Sequence, residues 1–174
     1  MNSFLDKFLF LLDYWILLST ILLLVGGFIL LYVRFKEPIN SRQFIKRGIV
    51  LIAQFFVTFL LWIILHEALD AMVREELRDL LSQSDLTIKL KNKEVDPYIS
   101  NEVIKELKQI KETPADHSHP LDKFEIQLCS SKQTIILSLA QDSELKTGYW
   151  VFWDKYITTE KRAFGGIHSK LFEH

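Results

Sequence analysis

Residues 14–33, YWILLSTILLLVGGFILLYV, hold twenty positions without a charge. A helix of that length spans about 30 Å, the thickness of a bilayer's hydrocarbon core. Residues 48–65, GIVLIAQFFVTFLLWIIL, do the same over eighteen. The stretch between them is short and polar, so the pattern predicts a transmembrane hairpin. Helical periodicity then continues past the second span. Leu69, Met72, Val73, Leu77, Leu80 and Leu81 recur at three- and four-residue spacing, with no Gly or Pro to interrupt them. One helix is expected from about 41 to 83, roughly 60 Å long. Its last part, residues 66–83, is an amphipathic stalk that buries its stripe against its own domain or against other copies.

Beyond 84 the period changes to two. Leu86, Ile88 and Leu90 alternate with Thr87, Lys89 and Lys91, a strand with one buried face. Asp96-Pro97 turns the chain. Ser100 caps an expected helix through about Lys111, with Val103, Ile104, Leu107 and Ile110 inward. A loop over 113–120 leads to strands at 123–128, 134–139 and 148–156. A last strand near 163–171 carries Gly165-Gly166, a candidate bulge. The expected fold is a membrane α-helical hairpin with its stalk (1–83), then a small soluble α+β domain (84–174). That domain is an antiparallel sheet with one helix, ordered β-α-β-β-β.

Charge distribution sets the orientation. Arg34, Lys36, Arg42, Lys46 and Arg47 crowd the link between the spans. The positive-inside rule places that linker in the cytoplasm and both flanks outside. Pro38 ends the first helix, and Asn40 or Ser41 caps the second. The first apolar run is longer than a signal-peptide core and no small-x-small cleavage site follows, so a span is expected rather than a leader. Net charge is −1, without the basic field of a nucleic-acid binder, so no direct nucleic-acid binding is expected. The single cysteine, Cys129, allows no intrachain disulfide.

Polar and small residues inside the spans are the first candidate functional positions. Asp6, Asp13, Thr20, Gly27 and Arg34 recur every seven residues, and Ser19 and Gly26 form a parallel pair. Such a face lets another helix approach closely, either within the hairpin or between copies, and it can line a pore. In the second span Gln54, Thr58, Trp62 and His66 stand four apart, a polar-aromatic stripe that needs a bundle interior or a wetted path.

The stalk and the soluble domain offer weaker chemistry. His66-Glu67 begins like a zincin helix, but Asp70 stands where the second histidine is needed. Asp116-His117-Ser118-His119 is the densest ligand cluster, and His117 and His119 are weak metal candidates lacking evident further ligands. Cys129 lacks a clear activating base. Ser130, Ser131 and Asp142-Ser143 read as turn residues, with no nucleophile elbow or phosphate loop. No cofactor is expected. Tyr149-Trp150-Val151-Phe152-Trp153 puts aromatics on both faces of a strand. That strand is either central and covered twice, or Trp150, Phe152 and Trp153 meet a partner.

A two-helix anchor carrying one small α+β domain resembles the two-transmembrane-helix effectors of bacterial antiphage defence systems, retron-associated ones included. The resemblance is one of architecture over the whole chain, so it transfers no residue roles. It implies a non-enzymatic protein of the bacterial inner membrane, partnered by the lipid bilayer. Such a protein oligomerises through its hairpin and perturbs the membrane once a regulatory protein partner releases or activates it. A cytosolic trigger requires a cytosolic domain, whereas the linker's charge places that domain outside, so its side stays open. The alternative is a membrane-tethered sensor or inhibitor module whose domain binds a protein or small ligand.

Overall fold

The computed structural model describes residues 2–36, 41–83, 85–90, 93–111, 118–131, 133–169 and Phe172. Two long helices come first, α1 (Asn2–Lys36) and α2 (Ser41–Leu81). Both are long and apolar enough to cross a membrane, and only 11% of the most apolar window of each is buried. A core helix of a water-soluble protein would be mostly buried, and these two are not. The second helix runs unbroken to Leu81, as the periodicity predicts.

The chain divides into two compact units between Ala68 and Leu69. The amphipathic end of α2 therefore belongs to the second unit, not to the hairpin. Leu69, Val73, Leu77 and Leu81, each four apart, are fully buried. Polar residues between them tie the segment down. Arg74 donates to the Phe164 carbonyl at 2.9 Å and Arg78 to the Ile110 carbonyl at 3.0 Å. Glu76 accepts from Lys155 and from the Tyr156 hydroxyl, and Asp70 pairs with Arg162 at 2.7 Å. The stripe is thus spent on the protein's own domain rather than on other copies.

That domain contains β1 (Thr87–Leu90), β2 (Lys93–Glu94), α3 (Pro97–Lys108), β3 (Pro120–Cys129) and β4 (Thr134–Asp142). It continues with β5 (Gly148–Trp153), α4 (Ile157–Lys161) and β6 (Gly165–His168). All pairings are antiparallel, in the order β2-β1-β3-β4-β5-β6, with β2 a two-residue addition to the edge. The register places Ile88, Ile126, Leu128, Leu137, Leu139, Val151 and Ile167 on one face, all buried. Helix α3 meets this sheet at β1 and β6, presenting Val103, Ile104 and Leu107.

Several boundaries differ from the sequence pattern. Helix α3 starts at Pro97, with Asp96 as its N-cap accepting the Tyr98 amide at 2.8 Å; Ser100 lies inside the helix and is buried. Proline at the first helical position gives up no hydrogen bond, so Asp96-Pro97 opens the helix as well as turning the chain. Strand β3 starts at Pro120, and its register shifts between Pro120 and Lys123. Gly165 and Gly166 pair regularly with Val151 and Trp150, without a bulge. Gly165 is needed for space instead, since a Cβ there would lie 2.6 Å from the Lys111 carbonyl oxygen. Strand β5 ends at Trp153 rather than 156. The chain turns into α4, a five-residue helix too short to leave a periodic signal.

Candidate functional site

In the first unit α1 and α2 lie antiparallel along a polar seam. Gly26 and Gly48 set its closest approach. A Cβ on Gly26 would come 2.9 Å from the Gly48 oxygen, and one on Gly48 would come 3.0 Å from the Gly26 oxygen. Next along the seam come Ser19 and Gln54. The Gln54 amide donates to Ser19 Oγ at 2.8 Å and to Thr58 Oγ1 at 3.4 Å, while its own Oε1 is buried without a partner among the described residues. Further along, Asp13 Oδ1 accepts from Trp62 Nε1 at 2.7 Å and lies 3.2 Å from His66 Nε2. The Trp62 and His66 rings meet edge to face at 4.6 Å. The stripe Gln54, Thr58, Trp62, His66 is therefore answered across the hairpin by Ser19 and Asp13.

The seven-residue face needs correction. In the series Asp6, Asp13, Thr20, Gly27, Arg34, Asp6 is buried and Asp13 is bonded to Trp62, but the buried repeat from there on is Leu12, Ser19, Gly26 and Val33, one residue ahead. Thr20 is exposed and bonds back to the Ile16 carbonyl at 2.9 Å. Gly27 has nothing within 4 Å of where a Cβ would stand, and Arg34 is exposed. The doublets Ser19-Thr20 and Gly26-Gly27 fit either face by composition. The two faces differ by one helical step of about 100°. Only the opposing Gly48 and Gln54 decide between them.

In the second unit the aromatic strand is covered on both faces. Phe152 is 2% exposed and clusters with Ala140, Ala163 and Trp150. Lys123 Nζ lies 3.6 Å from the centre of the Phe152 ring and donates to the Glu160 carbonyl at 3.1 Å. Trp153, 3% exposed, lies on the opposite face and meets Tyr156 edge to face. Phe152 and Trp153 are thus core side chains with no surface to offer a partner. Trp150 is half-buried and lines a cleft of about 270 Å³ together with Glu106, Lys111, Asp142 and His168.

Asp142 is the best-satisfied acid of this region. Its Oδ1 accepts the amides of Glu144 and Leu145, both at 2.9 Å, and its Oδ2 accepts Trp150 Nε1 at 2.7 Å. Burial pushes its pKa up. The Leu145 and Glu144 amides outweigh that, with Ser118 and Trp150 adding to them, and hold it at about 2. Glu106 is opposite in kind. Burial raises its pKa despite the Ser169 hydroxyl, Glu102 raises it further and Lys105 lowers it, and its Oε2 is buried without a partner among the described residues.

Among the described residues, no group of three or more His, Cys, Asp or Glu is placed to hold a metal. His119 is exposed and His117 lies outside the described residues. Cys129 is a half-buried free thiol. The role of Asp142 has a local signature, an aspartate whose side chain bonds amides two and three residues on. Glu106 has none, because the cleft's other walls come from more than 30 positions later. No family model matches this sequence, and no curated protein or solved structure matches it either.

Proposed function

We propose that the chain is a non-enzymatic integral membrane effector. Its hairpin oligomerises with further copies in the bacterial inner membrane, and a regulatory protein partner releases or activates it to perturb the bilayer, as the architectural resemblance to antiphage effectors implies. The observation that carries this reading is the second, unused small-residue flank on α1. Ser19 and Gly26 already pack on α2, while Thr20 is exposed and Gly27 has open space beside it. In lipid, helices associate through close approach at small residues, because apolar burial gives no driving force there. A hairpin serving only as an anchor needs one such face, not two. The polar seam behind it supports the same reading. Repacking on assembly would bring Ser19, Gln54 and Thr58 to water or to a neighbouring copy, and the unanswered Gln54 Oε1 would gain a donor. The basic linker faces the cytoplasm in this reading.

The test pairs Gly27→Leu with Asp13→Leu, scoring crosslinked oligomers in membranes together with membrane potential in expressing cells. Gly27→Leu is expected to abolish both the oligomer and the depolarisation. If neither substitution changes either readout, the assembly reading is lost. A second reading, a membrane-tethered sensor or inhibitor module, is favoured by the cleft beside Trp150.

A further inference from the structure

The cleft of the second unit opens where α3 and its exit face the β5–β6 edge. One glycine shapes it. With no side chain at Gly165, Lys111 and Gly166 exchange backbone hydrogen bonds of 3.0 and 3.1 Å, which fix the chain leaving α3 beside the sheet edge. The α3 wall contributes Glu106, and the strand wall contributes Trp150. The Trp150 ring cannot swing freely, because its indole N–H is donated to Asp142. Asp142 keeps its charge throughout the ordinary pH range, while Glu106, bonded to Ser169, carries one buried oxygen, Oε2, that no group among the described residues satisfies. Such an acceptor is costly until a donor reaches it.

The lining decides the sign of the guest. The lining carries two carboxyl-bearing residues, Glu106 and Asp142, together with Lys111 and His168, both of them exposed residues. An aromatic face adds attraction for a cation through its quadrupole. An anion would meet two carboxyl groups, and a neutral apolar guest would leave Glu106 unanswered. We propose that this cleft binds a small organic cation, an ammonium or guanidinium group held by Glu106 with its apolar body against Trp150. The proposal deepens the sensor reading and is independent of hairpin assembly.

The experiment uses the full chain in neutral maltoside micelles and three fluorinated probes of matched shape: 4-fluorobenzylamine, 4-fluorobenzyl alcohol and 4-fluorobenzoate. Ligand-observed fluorine NMR measures binding, with empty micelles subtracted. The amine is expected to bind with a Kd of about 1 mM or below, and the other two about tenfold more weakly. Amine affinity should rise with pH as Glu106 ionises, above the usual carboxylate range; Glu102, Lys105, Lys111, Asp142, Ser169 and His168 are the groups around it. Glu106→Gln should cost about tenfold and flatten that pH profile. The pH profile of the unaltered protein serves as the readout if the variant does not fold. Equal binding of alcohol and amine, preferred binding of benzoate, no binding of the amine, or a flat pH profile each overturns the proposal. None of these outcomes touches the crosslinking and potential measurements that decide the effector reading.

Discussion

Gly26→Ala, compared with Gly27→Ala, puts the hairpin seam to its sharpest test. The two substitutions add the same methyl group to the same helix, one residue apart. At position 26 the new Cβ would sit 2.9 Å from the Gly48 oxygen, 3.1 Å from Leu51 Cβ and 3.2 Å from Ile52 Cγ1. The first of these contacts is with backbone, which cannot rotate away. Relief requires α1 and α2 to part by several tenths of an ångström. That stretches the Gln54–Ser19 and Trp62–Asp13 hydrogen bonds on the same seam. Overpacking of this kind costs about 1–3 kcal/mol, which is roughly 5- to 160-fold in the closed-to-open ratio. At position 27 nothing lies within 4 Å, so the methyl meets open space. Within a single hairpin the remaining effect is the better helix propensity of alanine, at most about 1 kcal/mol in the opposite direction. The assay uses a Cys129→Ser background with cysteines at Lys7 and Glu67, labelled for energy transfer across the open end of the hairpin. Titration with a denaturing detergent gives the midpoint of opening. The expected result is a lowered midpoint for Gly26→Ala and an unchanged or raised one for Gly27→Ala. Equal shifts, or a larger loss at 27, would refute the assignment of the seam.

Two further outcomes concern the sheet domain. Asp142→Asn removes a charged acceptor of three hydrogen bonds and should cost about 1.5–3 kcal/mol of domain stability near neutral pH, read as a lower melting temperature in micelles. Because the folded pKa of Asp142 lies below its ordinary value, its stabilisation is present above about pH 4 and lost as pH falls towards about 2; the gap between wild type and variant should close over that window, and a constant gap would contradict the assignment. Gly165→Ala would drive a Cβ to 2.6 Å from the Lys111 oxygen and 2.7 Å from Ile110 Cγ1, so it should cost about 3 kcal/mol or more by overpacking and expose the Lys111 and Gly166 amides to hydrogen exchange; protection as strong as in wild type would show that α3 is not held there.

Hydropathy and period were sufficient to establish the coarse architecture. Long uncharged runs, a three-to-four spacing sustained to Leu81 and a switch to period two after it are local properties, and local properties are what a sequence displays. They yield two helices long enough for a bilayer and a following antiparallel sheet with a helix. The stripe Gln54, Thr58, Trp62, His66 was legible for the same reason, since four-residue spacing fixes one face whatever the surroundings. What answers that stripe was not legible. Ser19 or Thr20, and Gly26 or Gly27, are equivalent until Gly48 arrives from the other helix, and nothing within α1 encodes that arrival. The amphipathic stalk could equally have met its own domain or another copy. The hydrogen bonds from Arg74 and Arg78 to carbonyls at Phe164 and Ile110 decided for the domain. Aromatics on both faces of β5 left open whether the strand was covered twice or met a partner, because α4, only five residues long, leaves no periodic signal of the chain folding back near Phe152. The cleft is tertiary throughout. Glu106, Lys111, Asp142, Trp150 and His168 have no shared spacing, and they line one cavity only because Gly165 leaves room for the chain leaving α3 to pair with Gly166.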